Sequence, residues 1–382
     1  MTTTADSAAD SRTDRPRVLL VFGGISSEHS ISCLTAASVA SAIDPARYEV
    51  SGLGITPTGR WTPYTLDEIR SFTVVDGELP RLAEERSDAV LVHTADGVFV
   101  AALDGEAHVV EPRPVDVAMP LLHGPFGEDG TVQGYFEMLG LRYTGAGVTA
   151  SAIGMDKHMM KLVLAGSGLP VGPFATILPG QWDADPDGCR GAVADLGLPV
   201  YVKPARGGSS VGISRVDSLD DLDAAIAEAQ RWDPKVIVER GIVGAREIEC
   251  AVLGDLDHSG PRTSRVGEIR MHTESGFYDF DAKYLPEEQV TLDVPAAIDP
   301  EVERRVRDTA ARTFTAVAGE GLGRVDVFVT GDGEVIVNEI NTMPGFTRFS
   351  MFPMLWQASG MSYPEVIDDL ISQALRRPVG LR

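Results

Sequence analysis

Arg324-Val325-Asp326 and Glu339-Ile340-Asn341 carry charged and oxygen-bearing side chains at alternate positions, beside the apolar runs 325–329 and 335–337. Those runs meet at Gly331-Asp332-Gly333-Glu334, and Asp-Gly between alternating apolar segments is a strong hairpin signal. A turn centred on Asp332-Gly333 sets Asp326 opposite Glu339 and Arg324 opposite Asn341, on one face, because strand side chains alternate with period two. Two carboxylates about 4 Å apart repel by about 4 kcal/mol at an effective dielectric of about 20, and like charges facing across strands weaken a sheet. Something positive must sit between them. A set of Asp, Glu and Asn oxygens suits magnesium shared with substrate phosphates. Taken alone, the spacing equally allows an exposed hairpin with solvated acids.

Four further segments carry chemistry. Lys203-Pro204-Ala205-Arg206-Gly207-Gly208-Ser209-Ser210-Val211-Gly212 has the makings of a phosphate cradle. Glycines let backbone amides approach oxygens, serines add donors, and Lys203 adds a charge. It lacks the Gly-Lys-Ser/Thr of a Walker loop, and 211–216 reads as a strand, so no helix dipole is implied. A plain hairpin loop is the alternative. Lys157 could reach the same phosphates, or be a surface lysine. His123-Gly124 through Gly130 follows the buried run 117–122, and Glu28 follows the run 18–22. Open α/β sheets bind ligands beyond the carboxyl ends of their strands, so both residues point to one rim. The aromatic-rich stretch 276–284 reads as a lid or a surface loop. Gly345, just past the hairpin, could offer its N–H to an oxyanion.

The elements that must position these groups follow from the rest of the chain. At 382 residues it exceeds one ordinary core and calls for two or three domains. Strand 18–22, the Gly23-Gly24 turn, the cap-rich Ser26-Ser27-Glu28 and helical spacing at Cys33, Ala36, Ala37 and Ala40 open a doubly wound parallel α/β domain. Strand-like runs at 89–93 and 115–122 extend it to about residue 146. The middle section has strands at 200–203 and 236–239 flanking a helix with Leu219, Leu222, Ile226 and Ala229 in phase. The last section holds the hairpin, a helix opened by Asp299-Pro300, and a final helix begun by the capping box Ser362-x-x-Glu365. The expected division is a disordered tail at 1–15, then domains at 16–146, 147–242 and 243–382.

Net charge is −23 and no basic stripe exists, which argues against a nucleic-acid partner. Cys33, Cys189 and Cys250 lie far apart without C-x-x-C spacing and read as reduced thiols of a cytoplasmic protein. The first fifteen residues have no apolar segment of a signal peptide, and no run approaches the roughly 18 residues a membrane span needs.

Together these motifs, in this order from about Val18 onward, resemble the D-alanine–D-alanine ligases of the ATP-grasp superfamily. The resemblance rests on His123 to Gly130 with Gln133-Gly134, on Lys203 to Gly212, on Tyr278 to Tyr284, and on Arg324-x-Asp326 with Asn338 to Gly345. It implies an α/β (α+β) ATP-grasp fold of three domains, with ATP between the central and C-terminal ones. Lys157, Lys203 and Ser210 would hold its phosphates, Glu239 would meet the adenine and Glu247 the ribose. Asp326, Glu339 and Asn341 would hold two magnesium ions, or manganese. The γ-phosphoryl group would pass to the carboxylate of one D-alanine, and the amine of a second would displace phosphate. Glu28 and His123 would orient the first D-alanine; Glu28, Ser209 and Tyr284 would form one network; Arg324 and Gly345 would receive the oxyanion; Ser350 and Lys283 would take the second carboxylate. The product would serve peptidoglycan precursor synthesis, and a homodimer through the first domain is part of the resemblance.

Relatives that make D-alanyl-D-lactate carry a His where this chain has Tyr284, which points to an amine nucleophile. Arg240-Gly241-Ile242 and Arg348-Phe349 depart from common versions of the adenine hinge and closing loop. The opening strand-glycine-helix suggests a dehydrogenase, but Gly23-Gly24-Ile25-Ser26 lacks G-x-G-x-x-G. A silent nucleotide-binding regulator would require an empty ligand position, and none is empty.

Overall fold

The computed structural model describes residues 15–255, 259–271 and 290–380. Residues 1–14 of the expected tail and the aromatic segment 276–284 lie outside them. Strand β1 (Arg17–Gly23) is a continuous apolar run buried on both faces, as parallel strands are. It pairs in parallel with β2 (Glu49–Ile55), which pairs antiparallel with β3 (Trp61–Tyr64). Strands β4 (Ala89–Thr94), β5 (Gly97–Leu103) and β6 (Val109–Val115) form a separate antiparallel sheet. The run 89–93 is therefore a strand, but not of the doubly wound sheet. Strand β7 (Val117–Pro120) returns beside β1 and is followed by β8 (Arg142–Tyr143), giving the order β3-β2-β1-β7-β8.

The next sheet is antiparallel throughout, in the order β11-β10-β12-β9, from β9 (Phe174–Ile177), β10 (Val200–Pro204), β11 (Ser214–Val216) and β12 (Val236–Arg240). The expected strand 211–216 is shortened to its last three residues; the rest belongs to the glycine loop. This sheet packs on helices Pro186–Ala194 and Leu222–Gln230 around a core of its own, with Val200, Val202, Ile226 and Val238 at its centre. The last sheet, β15-β14-β13-β16-β17, comprises β13 (Arg246–Leu253), β14 (Arg262–Met271), β15 (Val290–Asp293), β16 (Leu322–Val329) and β17 (Val335–Asn341). Helix Pro300–Ala316, capped by the Asp299 carboxylate with proline at its start, lays Val306, Ala310 and Phe314 on it. Helix Lys157–Gly166 adds Met160 and Leu164 to the same core.

Helices Met351–Ala358 and Tyr363–Arg376 turn back toward the first sheet. Leu355, Trp356, Val366, Ile367, Leu370 and Ile371 share one apolar cluster with Val18, Leu20, Phe22, Met119 and Leu121. The Ser362 capping box is present, its backbone N–H donating to the Glu365 carboxylate at 2.7 Å.

Candidate active site

The hairpin of β16 and β17 pairs Arg324 with Asn341 and Asp326 with Glu339, the register expected from sequence. The route to it differs. The turn closes around Thr330 and Glu334, with Val329 opposite Val335, and Asn338 is an extra residue on β17. That bulge shifts the register by one and brings the acids into line. Its trace is in the sequence: the buried alternation of Val335 and Val337 resumes at Ile340, one residue late.

Asp326 faces a carboxylate on its other side too, because β13 sets Glu249 opposite it. Glu249, Asp326 and Glu339 thus form one rung across three strands. Much of the balancing charge comes from the chain. Arg324 donates to both oxygens of Asp326 at 2.7 Å and lies 2.9 Å from Glu249, while Lys157 lies 3.3 Å from Glu339. Burial would lower the Arg324 pKa, but Asp326 and Glu249 outweigh it and raise the value. Asn341 donates its amide nitrogen to Asp326 at 2.9 Å, so its side-chain oxygen is the atom turned elsewhere. Among the described residues no three His, Cys, Asp or Glu side chains form a metal cage. Two carboxylates and one amide oxygen nevertheless fit a hard dication that completes its shell with ligand oxygens.

Facing this rung across a cleft of about 370 Å³ is the antiparallel sheet β9–β12. Lys157, Lys203, Ser209, Ser210, Glu239, Glu247, Arg324, Asp326, Glu339 and Asn341 all line the cleft. Lys157 donates to the Gly207 carbonyl at 3.0 Å, so it does come to the glycine loop. The loop's base is fixed by Arg206, whose guanidinium and backbone N–H both bond buried Asp233. Lys203 is 2.8 Å and Lys161 3.4 Å from the two oxygens of Glu239. Burial would raise the Glu239 carboxyl, yet Lys203 and Lys161 together hold it at about 2. Glu247 is shifted up by burial and by Asp326.

The first sheet stands beside the cleft and reaches it through Glu128 and through a bond to the glycine loop. Glu28 follows β1 and His123 follows the neighbouring β7, so both stand at the carboxyl ends of adjacent parallel strands. The Ser26-Ser27-Glu28 stretch does not cap helix His29–Ala42 through a side chain. Instead the Ser26 hydroxyl donates to the His123 carbonyl at 2.8 Å, joining the two strand ends. Glu28 accepts from the Ser209 hydroxyl at 2.5 Å, which links the first sheet to the glycine loop. A Cβ at Gly124, whose φ is 73°, would come within 2.7 Å of its carboxylate and one at Gly208 within 3.1 Å, so the carboxylate packs closely on both glycines. His123 is buried, and burial lowers its pKa. Its Nδ1 meets the Met343 carbonyl and its Nε2 the Thr35 hydroxyl, each at 3.1 Å. The carbonyl can only accept, so Nδ1 carries the proton and Thr35 donates to Nε2.

Glu28, His123, Gly345 and Ser350 are not among the described residues lining the cleft itself. Ser350 precedes helix Met351–Ala358, accepts from the Thr347 N–H at 3.1 Å, and would touch a Cβ at Gly345 at 3.2 Å. Lys283 and Tyr284 lie outside the described residues. Three charged residues in or beside the cleft escaped the sequence reasoning: Glu249, Lys161 and Glu128. Glu249 stands two residues beyond Glu247 on the same strand face, and Lys161 one helical turn beyond Lys157, so spacing could have found both. Glu128 accepts from the Gly124 N–H at 2.6 Å and the Met343 N–H at 3.1 Å, bridging first and last sheets. Burial and neighbouring Glu28 push its carboxyl up to about 8.

The family model described as the D-Ala D-Ala ligase N-terminus matches residues 17–146, and that of the C-terminus matches 163–372. The chain belongs to the D-alanine–D-alanine ligase family. Within the family it is 52% identical over 374 residues to the D-alanine–D-alanine ligase of Kineococcus radiotolerans, covering 96% of this chain and 99% of that one. It is 50% identical over 378 residues to that of an Arthrobacter species, covering 96% of each. Among solved structures, the VanG D-Ala:D-Ser ligase of Enterococcus faecalis superposes with a TM-score of 0.78 at 31% identity, over 94% of this chain and 99% of that one. The D-alanine–D-alanine ligase of Coxiella burnetii gives 0.76 at 30%, over 95% and 94%. The ATP-grasp architecture expected from sequence is thereby established.

Proposed function

We propose that this ligase-family protein joins two D-alanine molecules at the expense of ATP, forming D-alanyl-D-alanine, ADP and phosphate for peptidoglycan precursor synthesis. The observation that supports this assignment is the convergence of the carboxylate rung and the glycine loop on one cleft, with Ser209 of that loop bonded to Glu28 beside it. ATP would lie between the two antiparallel sheets, its phosphates on Lys157, Lys203 and Ser210, its adenine at Glu239 and its ribose at Glu247. Magnesium, as two ions, or manganese, would be held by Asp326, Glu339 and Asn341 and would neutralise phosphate charge.

Phosphoryl transfer needs positioning and charge neutralisation more than covalent help. Glu28 would pair the ammonium of the first D-alanine, and the Ser209 hydroxyl fixes that carboxylate. His123 would help orient the first D-alanine from a ring held between the Met343 carbonyl and the Thr35 hydroxyl. Once the acylphosphate forms, the second amine attacks its carbonyl, the amine proton departs, and phosphate leaves. Arg324 would meet the oxyanion with Gly345; its guanidinium has five donors, more than Asp326 and Glu249 use. Ser350 would take the second carboxylate. Lys283 and Tyr284 enter on the sequence resemblance, Tyr284 favouring an amine over D-lactate.

The division into 16–146, 147–242 and 243–382 is part of the same proposal, supported by the separate sheets, although helix Lys157–Gly166 packs on the last of them. So are association of two copies through the first unit, on resemblance, and a cytoplasmic location, supported by three free buried cysteines. No helix among the described residues is long and apolar enough to cross a membrane.

Phosphate release with ATP and magnesium, measured with D-alanine, L-alanine and D-alanine plus D-lactate or D-serine, tests the assignment. Release confined to D-alanine, with the dipeptide as product, supports it. Equal release with L-alanine, or exclusive use of another second substrate, would overturn it.

A further inference from the structure

Glu239 is flanked by two lysines, although one would neutralise it. Lys203, at the base of the glycine loop, reaches one oxygen and Lys161 the other. The two differ in what else they can reach. Lys203 lies on β10 and lines the cleft, whereas Lys161 is only 2% exposed and does not line it among the described residues. Lys161 sits in helix Lys157–Gly166, one turn beyond Lys157, and its helix packs on the last sheet's core. Burial lowers its pKa, opposed by Glu239. A buried lysine is costly unless its charge is used.

The following inference rests on the placement of ATP proposed above. If Lys203 is to bind a phosphate, it must leave Glu239, and a buried carboxylate left without a counter-charge would protonate or turn away. We propose that Lys161 is a positioning residue for base recognition: it keeps the Glu239 carboxylate in place when Lys203 turns to the phosphates, so that Glu239 accepts from the exocyclic amine of adenine. A 6-oxo purine presents an oxygen where adenine presents that amine, and an ionised carboxylate held by Lys161 has no proton to give it. The pair would therefore select amino over oxo purines by repulsion as well as attraction.

The test compares kcat/KM for ATP and ITP in the full-length protein and in Lys161→Met, with D-alanine saturating. The variant is expected to lose discrimination between the two nucleotides by roughly tenfold or more, the worth of one hydrogen bond to a charged group. KM for D-alanine should stay within about twofold, the nucleotide site being separate. Lys161→Arg, which keeps the charge, should restore the wild-type ratio. A merely structural role would lower both nucleotides together and leave the ratio unchanged, which overturns the inference. Should Lys161→Met fail to fold, Lys161→Gln carries the same expectation with a smaller packing change. A wild-type protein that does not consume ATP with D-alanine overturns the site assignment itself. An unchanged ratio in an otherwise active enzyme removes Lys161 alone.

Discussion

Replacing Ser209 by alanine removes one hydroxyl, the one that joins the glycine loop to Glu28 at 2.5 Å. Ser209 is 9% exposed, so water does not readily substitute for it. A hydrogen bond to a charged acceptor is worth roughly 1.5–3 kcal/mol, which converts to a loss of roughly 10- to 150-fold in kcat/KM for D-alanine. The backbone confounds that figure, because Ser209 and Ser210 hold φ of 49° and 58° in the left-handed region. Ser209→Gly separates the effects. It lacks the hydroxyl but suits the backbone, so it should match Ser209→Ala in kinetics while being no less stable in urea unfolding. Steady-state coupling of ADP release to NADH oxidation reads the first quantity. If both variants keep kcat/KM within about threefold of wild type, less than 1 kcal/mol is at stake, and the Glu28–Ser209 bond has no part in substrate orientation.

Glu339→Gln leaves Asp326 and Arg324 paired but halves the carboxylates available to a dication. kcat should fall by roughly 100-fold or more and half-saturation should require more magnesium; near-normal turnover would sink the metal assignment. Glu239 has its folded pKa, about 2, below the ordinary 4.5. Its contribution to stability is therefore complete above pH 4.5 and is lost as pH falls through 2. Glu239→Gln should flatten that acid limb relative to wild type in thermal unfolding, and identical limbs would contradict the ion triad. Gly321 has a φ of 65°, and a Cβ there would lie 2.6 Å from the Gly145 backbone. Gly321→Ala should cost roughly 2–4 kcal/mol, measured by urea unfolding.

What the sequence made legible was whatever obeys a short-range rule. The apolar run of β1, the Asp299-Pro300 start and the Ser362 capping box each follow from local sterics or hydrogen bonding, and each is present. The pairing of Asp326 with Glu339 was legible too, but through a turn one residue longer than the real one, corrected by the Asn338 bulge. Partners across long separations were not legible. Nothing local tells residues 89–93 to join β5 rather than β1, or sets Glu249 beside Asp326. Lys161 escaped because a lysine inside an apolar helix face looks like a snorkelling surface residue until its partner, 78 positions on, is placed beside it. The expected site residues rest on family resemblance, since the 2.5 Å contact between Glu28 and Ser209 spans 181 positions and no local rule reaches that far.

The shared apolar cluster of the first sheet and the last two helices bears on how the chain is made. One face of β1, carrying Leu19 and Val21, is closed by residues no later than Tyr143. The opposite face, with Val18, Leu20 and Phe22, shares its cluster with helix His29–Ala42, Tyr64, Ile69 and Leu82, and also with Leu355 to Ala374 from the far end of the chain. On a ribosome that emits the amino end first, the opening unit cannot complete this cluster until residues 355–374 have emerged. A nascent molecule therefore carries an unsealed greasy strip through most of its synthesis, where trigger-factor-like holdases would find their footing.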